Sequence, residues 1–217
     1  MITPDLFQIR GVIDPTEKFI YMDISKNAST KILSTLRSIG WTKPPILKRK
    51  EKDDFLNDYL TDKTIFCVLR EPYERWLTAF VTFAESIPRG NFNPSLHKLL
   101  HSEHWYITLQ IIFEFCNNFE FDFHTKLQCN CFDDYINITK VNFVLFNENV
   151  CLNLQNWCKT VNLEIFFNSH YLNKRSESNL MYNNLIYFLD ENPHYKEKLM
   201  SWLQPDYEFF NSVKFVA

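Results

Sequence analysis

Apolar and polar positions along the chain alternate between short continuous apolar runs and segments of helical spacing. The run Phe19-Ile20-Tyr21-Met22-Asp23-Ile24 predicts a buried strand, and Lys26 to Thr30 a polar turn after it. Ile32, Leu33, Leu36 and Ile39 then recur at the period of a helix, with Gly40 as its stop. Thr42 to Asp62 is charged, carries Pro44-Pro45, and predicts a loop with a short helix. The same order then repeats. Thr64 to Leu69 predicts a second strand ended by Arg70, and Pro72 opens a helix whose apolar face is Trp76, Leu77, Phe80 and Phe83. Residues 94–118 read as helical and aromatic. A third strand is predicted at 141–146, followed by helices at 150–161, 180–190 and 194–203. Strand–helix alternation of this kind predicts an α/β fold with a mainly parallel central sheet flanked by helices, with ligands at the carboxyl ends of the strands.

Composition narrows the picture. A chain of 217 residues predicts one domain, spanning 1–217. Hydrophobic residues make up 46% of it, which excludes a disordered chain. It has only three glycines, so a phosphate loop here is not a glycine-rich one. The net charge of -3 argues against a nucleic-acid partner recruited by bulk charge. No run approaches the ~20 apolar residues of a membrane span, and Met1 to Arg10 lacks the pattern of a signal peptide. A cytoplasmic protein with reduced thiols is therefore expected. Cys129 and Cys131 are spaced unlike the usual zinc ligands, so no metal is expected. Of the glycosylation sequons, Asn27-Ala-Ser29 falls in the first polar turn, and Asn137-Ile-Thr139 lies further on.

Two loops carry the candidate chemistry. Lys26-Asn27-Ala28-Ser29-Thr30, followed by Lys31, sits between a strand and a helix start. Unpaired backbone N–H groups, the helix dipole, two hydroxyls and a lysine charge suit a phosphate or sulfuryl group there. Ser29 or Thr30 could equally serve as an ordinary helix cap. The triphosphate-binding signature G-x-x-x-x-G-K-[ST] is absent. In the second loop, Arg70 closes a strand and Thr78 follows about two helical turns later, a guanidinium fork and a hydroxyl. An Arg–Glu surface pair beside a capped helix is the plainer alternative.

Together the two segments resemble the paired signatures of the sulfotransferase family, in particular the carbohydrate sulfotransferases. Lys26 to Thr30 is similar to the family's 5'-phosphosulfate loop. Arg70-Glu71-Pro72-Tyr73-Glu74-Arg75-Trp76-Leu77-Thr78-Ala79-Phe80 is similar to its 3'-phosphate motif, Arg-Asp/Asn-Pro-x-x-Arg-x-x-Ser-x-Tyr/Phe, with Glu71 and Thr78 as departures. Weaker similarity continues at 123–128, 144–150, 170–176 and 206–210. The resemblance implies a P-loop-like three-layer fold, 3'-phosphoadenosine 5'-phosphosulfate (PAPS) as donor, a carbohydrate or other small acceptor, and no metal. It assigns Lys26 to Lys31 to the phosphosulfate, and Arg70 with Thr78 to the 3'-phosphate. Transfer to a hydroxyl or amine needs a proton acceptor, for which neutral histidine is suited. His124, in a polar break and matching a downstream histidine of the family, is the candidate. His170 is its rival, His101 and His104 lie on an apparent helix, and Glu148 is a carboxylate alternative. A non-catalytic PAPS or PAP (3'-phosphoadenosine 5'-phosphate) binder and a nucleotide kinase are the competing readings. Lys26 favours transfer over binding alone, and the missing triphosphate signature disfavours a kinase.

Overall fold

The structure is a computed structural model that describes residues 6–7, 9–45, 47–48, 59–85, 98–132, 138–167 and 179–216. It contains two compact units. The first comprises Met1–Arg70, Asn130–Leu172 and Asn211–Ala217, and the second Glu71–Cys129 and Asn173–Phe210.

The first unit is α/β. Its elements are β1 (Leu6–Phe7), β2 (Gly11–Ile13), β3 (Phe19–Met22), α1 (Ser29–Ser38), β4 (Leu47–Lys48) and β5 (Thr64–Leu69), and after the second unit's first segment β6 (Val141–Leu145) and α4 (Val150–Thr160). The main sheet has the order β2-β3-β5-β6. β3, β5 and β6 run parallel, and β2 is antiparallel to β3. The sheet is thus mixed, with an edge strand the apolar pattern did not predict. Asp14 makes that edge. Its carboxylate accepts the N–H of Lys18 and Phe19, both at 2.7 Å, and the N–H and hydroxyl of Thr16, folding β2 back onto β3 in a tight turn. β1 and β4 form a separate antiparallel pair.

Alternation along the strands sends Val12, Tyr21, Phe66, Val68 and Val144 to one face. There they pack with Ile32 and Leu36 of α1 and Leu154 and Trp157 of α4. α1 ends as its Gly40 predicts. Gly40 takes φ 92°, its N–H bonds Arg37 O, and Trp41 N–H bonds Leu36 O. This is a Schellman closure, with Trp41 and Leu36 both buried in the same core. Cys67 lies fully buried in β5, as its apolar run predicts, and burial pushes its thiol well up.

The second unit is helical: α2 (Pro72–Glu85), α3 (Trp105–Phe115), α5 (Leu180–Glu191) and most of α6 (Pro193–Ser212). Trp76, Phe80, Phe113, Phe119, Leu185, Phe188, Leu199 and Leu203 form its core. α2 begins at Pro72, as predicted, and the Glu71 carboxylate accepts the Glu74 N–H at 2.7 Å as its cap. Two expectations change. The helix expected over 94–118 is shorter: residues 101–104 are turns, Cys116 is extended, and 94–97 lie outside the described residues. The last helix continues through Pro205 to Ser212. The backbone bond that Pro205 cannot make is offset by burial of Leu203 and Asp206 on either side of it.

Candidate functional site

In the first unit, the parallel strands β3, β5 and β6 place their carboxyl ends together. Met22 pairs with Cys67, and Leu69 with Leu145. The loop that follows β3 begins with Asp23 and reaches α1 at Ser29. Within it, Lys26 (φ 70°) and Ala28 (φ 59°) have positive φ while Asn27 between them does not. Left-handed conformation costs an L-residue roughly 1–2 kcal/mol. A chain that alternates the sign of φ turns its successive N–H groups into one concavity, a nest for an anion.

α1 has no side-chain cap. Its N-cap is Ala28, and Ser29 and Thr30 are the first two helical residues. The ordinary capping role open to Ser29 and Thr30 is therefore not the one they play. The N–H groups of Ala28, Ser29 and Thr30 have no partner among the described residues, whereas the N–H of Lys31 bonds Ala28 O at 3.0 Å. Three consecutive donors thus face outward at the positive end of a helix, flanked by half-buried Lys26 and Lys31. Lys31 also lies near Cys151 of α4, where burial raises the thiol and the lysine charge partly offsets it.

Asn27 holds the loop down. It is fully buried, and its Nδ2 donates to Val68 O of β5 at 2.8 Å. Nδ2 is the atom that would carry a glycan, so this sequon cannot be modified in the fold. Arg70 follows directly at the end of β5, with its guanidinium 4.8 Å from the centre of the Phe146 ring at the end of β6. Stacking of this kind directs a planar cation across a strand end. Arg10 completes the cluster, and sequence reasoning missed it. Its Nε donates to Asp23 Oδ2 at 2.9 Å and its Nη2 to Ser25 Oγ at 2.6 Å, bracing the chain just before Lys26. A single arginine ahead of a three-residue strand gave no signal in the sequence.

The remaining candidates belong to the second unit. Thr78 is partly buried on α2, and its hydroxyl donates to Glu74 O at 2.9 Å. His124 sits in a turn of the segment 119–129. That segment is pinned at three places. Trp76 Nε1 donates to Phe119 O at 3.0 Å, Arg75 Nη2 to His124 O at 3.2 Å, and Asp206 accepts the N–H groups of Gln128 and Cys129 at 2.9 and 2.8 Å. Arg75 is 1% exposed and Asp206 wholly buried. His124 Nδ1 lies 2.7 Å from Asp122 Oδ2. Burial would raise the Asp122 carboxyl, but the hydrogen bond and charge of the His124 ring and the N–H groups of Thr125 and His124 outweigh it and hold the group low. The Asp-x-His spacing was the available signal for Asp122, and the sequence reading passed over it.

His101 and His104 lie in the turn before α3 and are exposed, not on a helix as expected. Glu148 is exposed in the turn before α4. His170, like Lys174 and Arg175, lies outside the described residues. Among the aromatic residues of 113–123, Phe113 and Phe119 are buried, whereas Phe115 and Phe123 are exposed. Among the described residues no group of three or more His, Cys, Asp or Glu side chains could hold a metal, and no helix is long and apolar enough to cross a membrane. No family model, curated protein or solved structure matches the chain.

Proposed function

We propose that this chain is a sulfotransferase that binds PAPS and transfers its sulfuryl group to a hydroxyl or amine of a carbohydrate or other small acceptor. The observation that carries this reading is the uncapped start of α1. There the N–H groups of Ala28, Ser29 and Thr30, which have no partner among the described residues, stand beside Lys26, next to the strand end that bears Arg70. A helix that forgoes its cap, with two left-handed non-glycine residues before it, keeps donors for an outside anion. In this reading the parallel strands β3, β5 and β6 are the heart of a P-loop-like three-layer fold, and the protein works in the cytoplasm.

The residues present fit such a donor. Lys26, the three N–H groups and Lys31 would hold the 5'-phosphosulfate, with Asn27 keeping the loop in shape. Arg70, and the Thr78 hydroxyl if it leaves Glu74 O, would hold the 3'-phosphate. PAPS supplies the activated sulfuryl group. Charge grows on the bridging oxygen as its bond to sulfur breaks, so a preorganised lysine and N–H groups there would act mainly on the transition state. His124 would take the acceptor proton.

Calorimetric titration tests the assignment. PAP should bind tightly, and ADP, which lacks a 3'-phosphate, much more weakly. Arg70→Ala should weaken PAP by about ten- to a hundredfold, on the scale of a lost charge-assisted contact, with little change for ADP. Equal affinities for PAP and ADP would end the assignment.

A further inference from the structure

Two oxygens of one carboxylate do different things at Asp122. Oδ1 accepts the backbone N–H of His124 at 2.9 Å and of Thr125 at 3.1 Å, with the Thr125 hydroxyl at 3.3 Å. Oδ2 is left to face His124 Nδ1 at 2.7 Å. The turn that bears them is stiff. Thr125 is fully buried, its hydroxyl oxygen accepts the N–H groups of Phe121 and Asp122, and Arg75 holds the His124 carbonyl. The carboxyl is kept below its ordinary range, so at neutral pH it is an acceptor only. Nδ1 must then carry the hydrogen. In the neutral form of the ring, Nε2, which has no partner among the described residues, then holds the lone pair, and the side chain is 24% exposed.

We propose that Asp122 is a positioning residue that fixes the tautomer of His124, making Nε2 the atom that accepts the acceptor's proton. This rests on the reading of His124 as the base of the transfer. In that step the acceptor oxygen forms a bond to sulfur, the bond from sulfur to the bridging oxygen breaks, and PAP leaves with that electron pair. The acceptor's proton moves to Nε2, giving an imidazolium whose Nδ1–H already points at a carboxylate. The carboxylate therefore stabilises the charge that develops on the ring without having to move.

The arrangement makes one substitution informative. In Asp122→Asn the side-chain oxygen must stay beneath the two backbone N–H groups, because an amide nitrogen there would set donor against donor. The NH2 group then faces Nδ1 and turns an acceptor into a donor. The ring should switch to the Nε2–H tautomer, in which the basic lone pair points into the turn.

Long-range 15N–1H correlation spectra at about pH 8 read the tautomer directly, with the His124 signals assigned by their loss in His124→Gln. Wild type should be Nδ1–H and Asp122→Asn should be Nε2–H. Release of PAP from PAPS with water as acceptor should fall about a hundredfold or more in the variant, the span of a lost general base. The Kd for PAP should stay within about twofold, since a base contributes to the proton-transfer step and not to donor binding. A wild-type ring already in the Nε2–H form overturns the inference without any variant. So does an Asp122→Asn ring with the wild-type tautomer, and neither result touches donor binding. If the tautomers switch as expected while PAP release is unchanged, the assignment of His124 as base fails, and the role given to Asp122 fails with it.

Discussion

The buried amide of Asn27 donates to the Val68 carbonyl at 2.8 Å, and so ties the loop after β3 to the carboxyl end of the neighbouring strand β5. β3 stops pairing at Met22, opposite Cys67, so the next β5 carbonyl on that side has no strand to meet. A side chain from the loop supplies the missing donor. The same bond sets where the loop turns, and hence where the N–H groups of Ala28, Ser29 and Thr30 are presented.

Asn27→Ala should therefore both destabilise the fold and loosen the loop. Leaving the buried Val68 carbonyl unmet costs about 1–3 kcal/mol. Urea unfolding should show that loss, and PAP affinity should fall although no ligand-facing charge has been removed. Unchanged stability would mean that the carbonyl finds another donor.

Lys26 and Ala28 share left-handed geometry but differ in chemistry. Ala28→Gly relieves the backbone and should stabilise the protein by about 0.5–1 kcal/mol, the αL penalty less the entropy of glycine. It should leave PAP binding intact. Lys26→Gly has the same backbone effect but removes the ammonium. Its turnover should drop much further than its affinity for PAP, because the charge acts mainly on the transition state. Thermal unfolding and single-turnover kinetics on the two variants separate strain from charge. Wild-type turnover in Lys26→Gly would leave the lysine without a catalytic part.

Asp206 accepts two backbone N–H groups in a wholly buried setting. Asp206→Ala would leave both donors orphaned and should cost on the order of 2–4 kcal/mol. Hydrogen exchange at Gln128 and Cys129 should rise with it. If exchange there is unchanged, the segment bearing His124 is held by Arg75 and Trp76 alone.

The Asp14 turn predicts an acid response. Burial would raise its carboxyl, but the Thr16 hydroxyl and the N–H groups of Phe19, Thr16 and Lys18 outweigh it and hold it below 3.8. A carboxyl depressed in the folded state stabilises fully above its unfolded value and loses that contribution as pH falls through the folded one. Denaturant midpoints should thus fall below about pH 4. Asp14→Asn should be less stable at neutral pH and should show a shallower acid loss. An acid profile identical to wild type would assign the response to other carboxyls, such as Asp122.

Much of the first unit was legible because its signals are local. β5 was read to its termini from six consecutive apolar or β-branched residues, and α1 from its spacing and the stop at Gly40. The polar turn between β3 and α1 could also be placed. Its key property could not. Serine and threonine at a helix start ordinarily suggest a cap, and only the backbone angles at Lys26 and Ala28 reveal that the cap is absent and the donors are left open.

Other features lie beyond sequence pattern because their causes are distant in the chain. β2 has three residues, too few for a period, and exists because Asp14 folds it onto β3. α6 passes Pro205 because burial of Leu203 and Asp206 outweighs a local breaker. Arg10 reaches Ser25, Asn27 reaches Val68 and Arg75 reaches His124, each pairing residues far apart in sequence. The sequence alone determined the three parallel strands, the helices that follow them and the polar turns at their ends, because hydrophobic period and turn chemistry act between near neighbours. The tertiary structure decided which of those turns are held rigid and which donors stay open, because hydrogen-bond partners in a folded chain are chosen by space and not by order.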